Sequence, residues 1–328
     1  MLDIKSINKR INYLNKKKIL FTPGPSSLLT ENIVGLKPCF GRGDKDYEKI
    51  ENQVLKLLKK ISSHKNIARM QGSASLALEI LAANFLYGKI LIVNTGTYSE
   101  RLKKITFFCK NNFKYIKSIS SINWKNIENV KEKFDWIFSC YTETSIGLKI
   151  PIEKLFKLKK LCKSKLALDA TASIGLEPNH NYADVIGYSS CKGLFGLTGA
   201  GFIAFNERPK NKINSFYLNL KNHLEKKMTG PYHSILSLNN VLLKYNQFKS
   251  SVIINKKKFL KLMNKHLVYS NEYQPLLCTY TKKKISSKHK KVILYKTRAK
   301  INGSIVCHLG ESHLKKNAKG KILDFLNL

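Results

Sequence analysis

Short apolar runs alternate with helix-period segments through the first two thirds of the chain. Residues 67–71, 90–94, 136–140, 166–170, 185–189 and 202–205 are β-branched or aromatic runs bounded by polar residues, which predicts six strands. Between them, 47–60 places Tyr47, Ile50, Val54, Leu57 and Leu58 on one helical face, and 73–87, 100–108 and 152–162 read the same way. Strands alternating with helices predict an α/β sheet domain. After Thr229-Gly230-Pro231 the character changes. Helices are predicted at 234–248 and 256–264, separated by a lysine-rich stretch, followed by weaker strands near 276–281, 292–297 and 305–309. The expected division is an N-terminal segment (1–18), a large domain (19–232) and a small α+β domain (233–328).

Composition narrows the function classes. With 328 residues, 43% of them hydrophobic, the chain can bury a full core, which excludes a disordered or fibrous protein. The longest apolar stretch, 76–93, is interrupted by Glu79, Asn84 and Lys89, which argues against a membrane span. The start, MLDIKSINKRINYLNKKK, lacks the apolar centre of a signal peptide, so a soluble cytoplasmic protein is expected. The net charge of +38 suggests an anionic partner, but only six of the 59 basic residues are arginine. The lysines run along the whole chain, as in Lys103-Lys104 and Lys282-Lys283-Lys284. Base readout favours arginine, so a lysine-coated surface with no nucleic-acid partner is expected. Seven cysteines without a CxxC pair and eight histidines without HExxH or HxH predict buried, reduced thiols and no metal site.

Three segments carry candidate chemistry. Gln71-Gly72-Ser73-Ala74-Ser75 joins a predicted strand to a helix, where free N–H groups and two hydroxyls suit a phosphate dianion; by itself it also fits an ordinary serine cap. Leu166-Ala167-Leu168-Asp169-Ala170 ends a strand in a carboxylate, and strand carboxyl ends are where open α/β sheets bind ligands. Ser189-Ser190-Cys191-Lys192-Gly193 places a lysine after the next apolar strand, ahead of Gly196, Gly199 and Gly201. Those glycines lead into a strand and not a helix, so they form no dinucleotide fingerprint, and no GxxxxGK[ST] is present. A phosphate cradle, a strand-end acid and a later lysine are the three parts a pyridoxal phosphate site needs. The amine makes a Schiff base, and the acid keeps the pyridine nitrogen protonated.

In these segments, with Phe21-Thr22-Pro23-Gly24-Pro25, Phe40-Gly41-Arg42-Gly43-Asp44-Lys45-Asp46-Tyr47, Glu79, and Thr142-Glu143-Thr144-Ser145-Ile146-Gly147, the chain resembles the class V aminotransferases of fold type I. Within them it is most similar to the subgroup acting on 2-aminoethylphosphonate and pyruvate. The resemblance covers most of residues 19–248 and implies a large domain with a mostly parallel, seven-stranded type of sheet between helices, and a shortened small domain. It implies pyridoxal 5′-phosphate as cofactor, with Lys192 as the Schiff-base lysine and Asp169 on the pyridinium nitrogen. Ser73, Ala74 and Ser75 hold the phosphate, Tyr98 stacks on the ring, and Thr144 bonds near the 3-hydroxyl. Thr229 reaches in from a second subunit, making a homodimer with shared sites that acts on an amine and a 2-oxo acid. Two departures bear on substrate. Ile305 in Ser304-Ile305-Val306-Cys307-His308-Leu309-Gly310 stands where the family carries an anion-gripping arginine, and Cys191 replaces an amide residue. The alternatives are a different class V reaction, with another amine or a lyase chemistry, and a non-catalytic binding protein; Arg42 and Arg298 are the arginines that could compensate for Ile305.

Overall fold

All six predicted strands form within two residues of their expected bounds in the computed structural model, which describes residues 3–287, 289–310 and 321–328. The chain opens with helix α1 (Ile4–Asn15) and strand β1 (Ile19–Phe21). The large domain follows as α2 (Lys45–Ser62), β2 (Asn66–Gln71), α3 (Ala74–Phe85), β3 (Gly88–Asn94), α4 (Thr97–Phe113), β4 (Ile116–Asn123), β5 (Trp136–Cys140), α5 (Ile152–Leu161), β6 (Lys165–Asp169), β7 (Val185–Ser189) and β8 (Ala200–Phe205). Strands β2 to β8 form one sheet in the order β2-β8-β7-β6-β5-β3-β4. Only β8 runs against its neighbours.

Period-2 alternation divides the apolar side chains of these strands between two faces. Ile137, Leu166, Leu168 and Ile186 pack with Val54 and Leu58 of α2 and Leu155 of α5. Trp136, Phe138, Ala167 and Val185 pack on the other face with Leu78 and Leu81 of α3 and Leu102 of α4. A parallel sheet is covered on both faces in this way, which is why its strands read as continuous apolar runs. Strand β4 breaks that pattern and was not predicted. Its sequence, IKSISSIN, buries only Ile116 and leaves Ser120 and Ser121 exposed at the edge of the sheet.

The small domain contains α6 (Tyr232–Leu243), α7 (Tyr245–Met263), β9 (Cys278–Thr281), β10 (Val292–Leu294) and β11 (Ser304–Cys307). Its expected span includes residues 288 and 311–320, which lie outside the described residues. Helix α7 fills the gap expected between 248 and 256. Phe248, Val252, Asn255, Phe259 and Met263 share its buried face, and the polar Ser251 and Asn255 on that face obscure the period. Strand β10 pairs in parallel with β1, and β9 pairs antiparallel with β11. Among the described residues no helix is long and apolar enough to cross a membrane.

One buried cation gives this domain a pH signature. Lys256 of α7 is 6% exposed, and its ammonium donates to the carbonyls of Pro275 and Cys278. Burial pushes its pKa down to about 8. The unfolded chain therefore holds a proton that the folded chain releases between about pH 8 and the ordinary 10.5, and over that interval stability rises with pH. Lys256→Met removes this contribution. Urea denaturation at either end of the interval should show the gap between wild type and variant moving in favour of wild type as pH rises.

Candidate active site

The parallel strands β2, β3, β5, β6 and β7 all end at one edge of the sheet, and the predicted site residues follow those ends. After β2, Ser73 is the N-cap of α3 in extended conformation (φ −92°), and its exposed side chain makes no cap hydrogen bond. Its hydroxyl and the first N–H groups of α3 are thus available to an anion. Ala74 is buried behind it. Ser75 accepts a hydrogen bond from Arg101 Nη1 at 3.1 Å, which brings the first turn of α4 against the start of α3.

Tyr98 lies in that first turn of α4, and its ring has a cation on each of two approaches. The Arg101 guanidinium is 5.0 Å from the ring centroid and Lys192 Nζ is 5.7 Å from it. The stem of Lys192 is confined by the 22–26 loop, where Ser26 N donates to Cys191 O at 2.9 Å. A Cβ on Gly24, at φ +132°, would lie 2.9 Å from Lys192 Cγ, so both the backbone angle and the space there call for glycine. Asp169, the last residue of β6, is in register with Cys140, and its Oδ1 accepts from Thr171 N at 2.9 Å.

Several hydroxyls at this edge are buried without partners: Thr144 Oγ1, Thr171 Oγ1 and Ser26 Oγ. Such groups are costly unless a bound molecule pairs with them. Unpaired hydroxyls beside an amine, a carboxylate, a flat ring and an anion-ready helix start fit the pyridoxal phosphate expected from the sequence. No role was expected for Glu143, which sits beside Thr144 and is 1% exposed. Its Oε2 accepts from Tyr98 N (3.0 Å), Ser99 N (3.2 Å) and Thr95 Oγ1 (3.2 Å), and its Oε1 accepts from Ser145 N (3.2 Å). Burial pushes its pKa up against the downward pull of these donors. Glu143 thereby fastens the start of α4, and with it Tyr98, to the segment carrying Thr144. Its local signal was an acid inside the Thr142–Gly147 segment. Tyr295 faces Tyr98 from the small domain, and burial followed by Tyr98 raises its pKa; nothing in its own neighbourhood of the sequence marks it.

Thr229 stands apart. It is exposed and makes no hydrogen bond with a described residue of its own chain, while Gly230 beside it lies against Arg69. Ile305 is 3% exposed, opposite Tyr280 in the β9–β11 ladder and in one apolar cluster with Phe248 and Leu277. That position therefore offers no charge. Arg42 donates to Lys227 O at 3.0 Å. Arg298 is exposed and follows Thr297, whose hydroxyl donates to Ser145 O.

The aminotransferase class-V family model matches residues 41–309. A bifunctional phosphonoacetaldehyde hydrolase/aminoethylphosphonate transaminase from Clostridioides difficile is 24% identical over 300 residues, covering 80% of this chain and 47% of that protein. A 2-aminoethylphosphonate–pyruvate transaminase from Pseudomonas aeruginosa is 25% identical over 254 residues, 70% of this chain and 68% of that one. The chain thus spans about half the length of the first and two thirds of the second. Among solved structures, an aspartate aminotransferase from Thermus thermophilus superimposes with a TM-score of 0.76 at 16% identity, covering 93% of this chain and 99% of that one. It shares the fold.

Removing the Glu143 carboxylate tests the fastening of Tyr98. Glu143→Ala should cost about 1–2 kcal/mol in urea unfolding, the scale of a lost helix cap with its dipole partner. Glu143→Gln, which keeps an acceptor, should lose less.

Proposed function

Because the chain belongs to the class V aminotransferases, whose cofactor is pyridoxal phosphate, we propose that it transfers an amino group from 2-aminoethylphosphonate to pyruvate, giving phosphonoacetaldehyde and alanine. The observation that carries the transamination is the convergence of Lys192, Tyr98 and Asp169 at the ends of β7, β3 and β6. The likeness to relatives named for this donor supports the choice of amine.

The cofactor, when bound, supplies an electron-accepting ring and a carbon that takes the amine nitrogen. Lys192 Nζ moves the proton to and from the carbon that bears the transferred nitrogen. Asp169 keeps the ring nitrogen protonated. Ser73, Ala74 and Ser75 hold the phosphate at the start of α3, and Tyr98 covers the ring and keeps water from it. Thr144 pairs its free hydroxyl with the oxygen substituent of the ring. Thr229, exposed and without a hydrogen bond to a described residue of its own chain, bonds the phosphate of a second copy, so that the working form is a homodimer with shared sites. Arg298, which follows the Thr297 bonded to Ser145 O, or Arg42 would take the donor's phosphonate. Seven free thiols suit work in the cytoplasm.

Ile305 favours a second reading, in which another small amine or a lyase substrate replaces 2-aminoethylphosphonate. An apolar side chain cannot grip an anion as a guanidinium does.

Absorption spectra separate the readings. Protein reconstituted with pyridoxal phosphate should show a visible band that bleaches on adding 2-aminoethylphosphonate, with alanine formed once pyruvate follows. A band that forms but ignores this donor, while another amine bleaches it, selects the second reading. Lys192→Ala should slow alanine formation by about a hundredfold or more, the usual loss on removing a general acid–base group.

A further inference from the structure

A second buried carboxylate lies away from the strand ends. Glu51, in the middle of α2, is fully buried. Its Oε1 accepts from Arg69 Nε of β2 at 2.6 Å and from Tyr47 Oη at 3.1 Å, and its Oε2 accepts from Lys226 Nζ. Burial alone would raise the Glu51 pKa, but Lys226 and Arg69 outweigh it and hold the group below the usual carboxylate range. A carboxylate ionised at that depth needs a paired cation.

One of those cations comes from the loop that carries Thr229. Lys226 follows the short helix Leu220–Leu224, takes a positive φ of 55°, and stays partly exposed along its stem. The same loop is gripped from two more sides. Arg42 donates to Lys227 O at 3.0 Å, and a Cβ on Gly230 would lie 2.4 Å from Arg69 Nη1, so that Gly230 lies flat on the guanidinium. Arg69 also faces the Tyr232 ring at 5.9 Å, and Tyr232 meets Tyr47 edge-on at 4.9 Å. Every one of these anchors falls within three residues of Thr229, whose own side chain is exposed. The loop is built to hold a shape, and the residue at its tip is exposed and makes no hydrogen bond with a described residue of its own chain.

We infer that Glu51 and Lys226 are positioning residues for cofactor binding: their ion pair shapes the 226–230 loop so that the Thr229 hydroxyl is presented to the phosphate bound by a second copy. The inference rests on the reading of Thr229 as a phosphate contact. A purely structural ion pair would affect the whole molecule. A pair that acts through Thr229 affects the phosphate and nothing else.

The test uses apoprotein and two ligands, pyridoxal phosphate and pyridoxal, which differ only in the phosphate. Lys226→Ala is the working variant because Lys226 is partly exposed and its loss leaves Glu51 paired with Arg69 and Tyr47. It should raise the dissociation constant for pyridoxal phosphate about tenfold, the scale of one lost hydrogen bond to a charged group, and leave that for pyridoxal unchanged. Thr229→Ala should do the same. In the Thr229→Ala background, Lys226→Ala should then add nothing, since a residue that works through another has no effect once that other is gone. Lys226→Arg, which keeps the cation, should restore affinity. If Lys226→Ala weakens both ligands equally, or has its full effect without Thr229, or has none while Thr229→Ala does, the inference is overturned and Thr229 keeps its role. If Thr229→Ala leaves pyridoxal phosphate affinity unchanged, the phosphate reading of Thr229 fails, and the inference with it.

Discussion

Parallel pairing requires the chain to cross back to the far edge of the sheet before each new strand begins, so parallel strands all finish at the same edge. The geometry of the site depends on this. Gln71, Asn94, Cys140, Asp169 and Ser189 end five strands running in one direction, and a turn or helix start follows each. Residues spread from 71 to 192 along the chain thereby come to lie side by side. The antiparallel β8 between β2 and β7 leaves this edge intact, because β2 and β7 still run the same way.

Covering such a sheet on both faces leaves polar groups near its ends with little water, and the protein answers with dense pairing. Glu143 takes donors from four residues and Glu51 from three. Both are buried carboxylates, and each ties distant segments together: Glu143 the start of α4 to the Thr142–Gly147 segment, Glu51 helix α2 and strand β2 to the loop at Lys226. The hydroxyls of Thr144, Thr171 and Ser26 are the contrast, buried and unpaired at the same edge. At this edge the paired groups make scaffold, and the unpaired hydroxyls are open to a ligand.

The strand ends and the small domain differ in chemistry. The large-domain edge brings the amine of Lys192 to the ring of Tyr98 and carries the carboxylate of Asp169. Where the small domain meets it, Ile305 sits in an apolar cluster while Tyr295 and Thr297 contribute hydroxyls. On the function proposed above, the first region would serve the cofactor and the second the substrate.

By itself the sequence determined the α/β class, the five inner strands and the edge strand β2, and the identity of the strand-end acid and of the lysine that follows the next strand. These are local: an apolar run buried on both faces, or an acid or lysine that closes one, shows within five residues. The edge strand β4 was illegible because half of it faces water, and the unbroken α7 because Ser251 and Asn255 interrupt its apolar face. Tertiary structure alone decided the partners of Glu143 and Glu51, the approach of Tyr295 to Tyr98, the clamp of Gly24 on Lys192 and the apolar surroundings of Ile305. Each joins segments far apart in sequence, and what a buried polar group requires is set by the neighbours that folding brings to it, which no local pattern records.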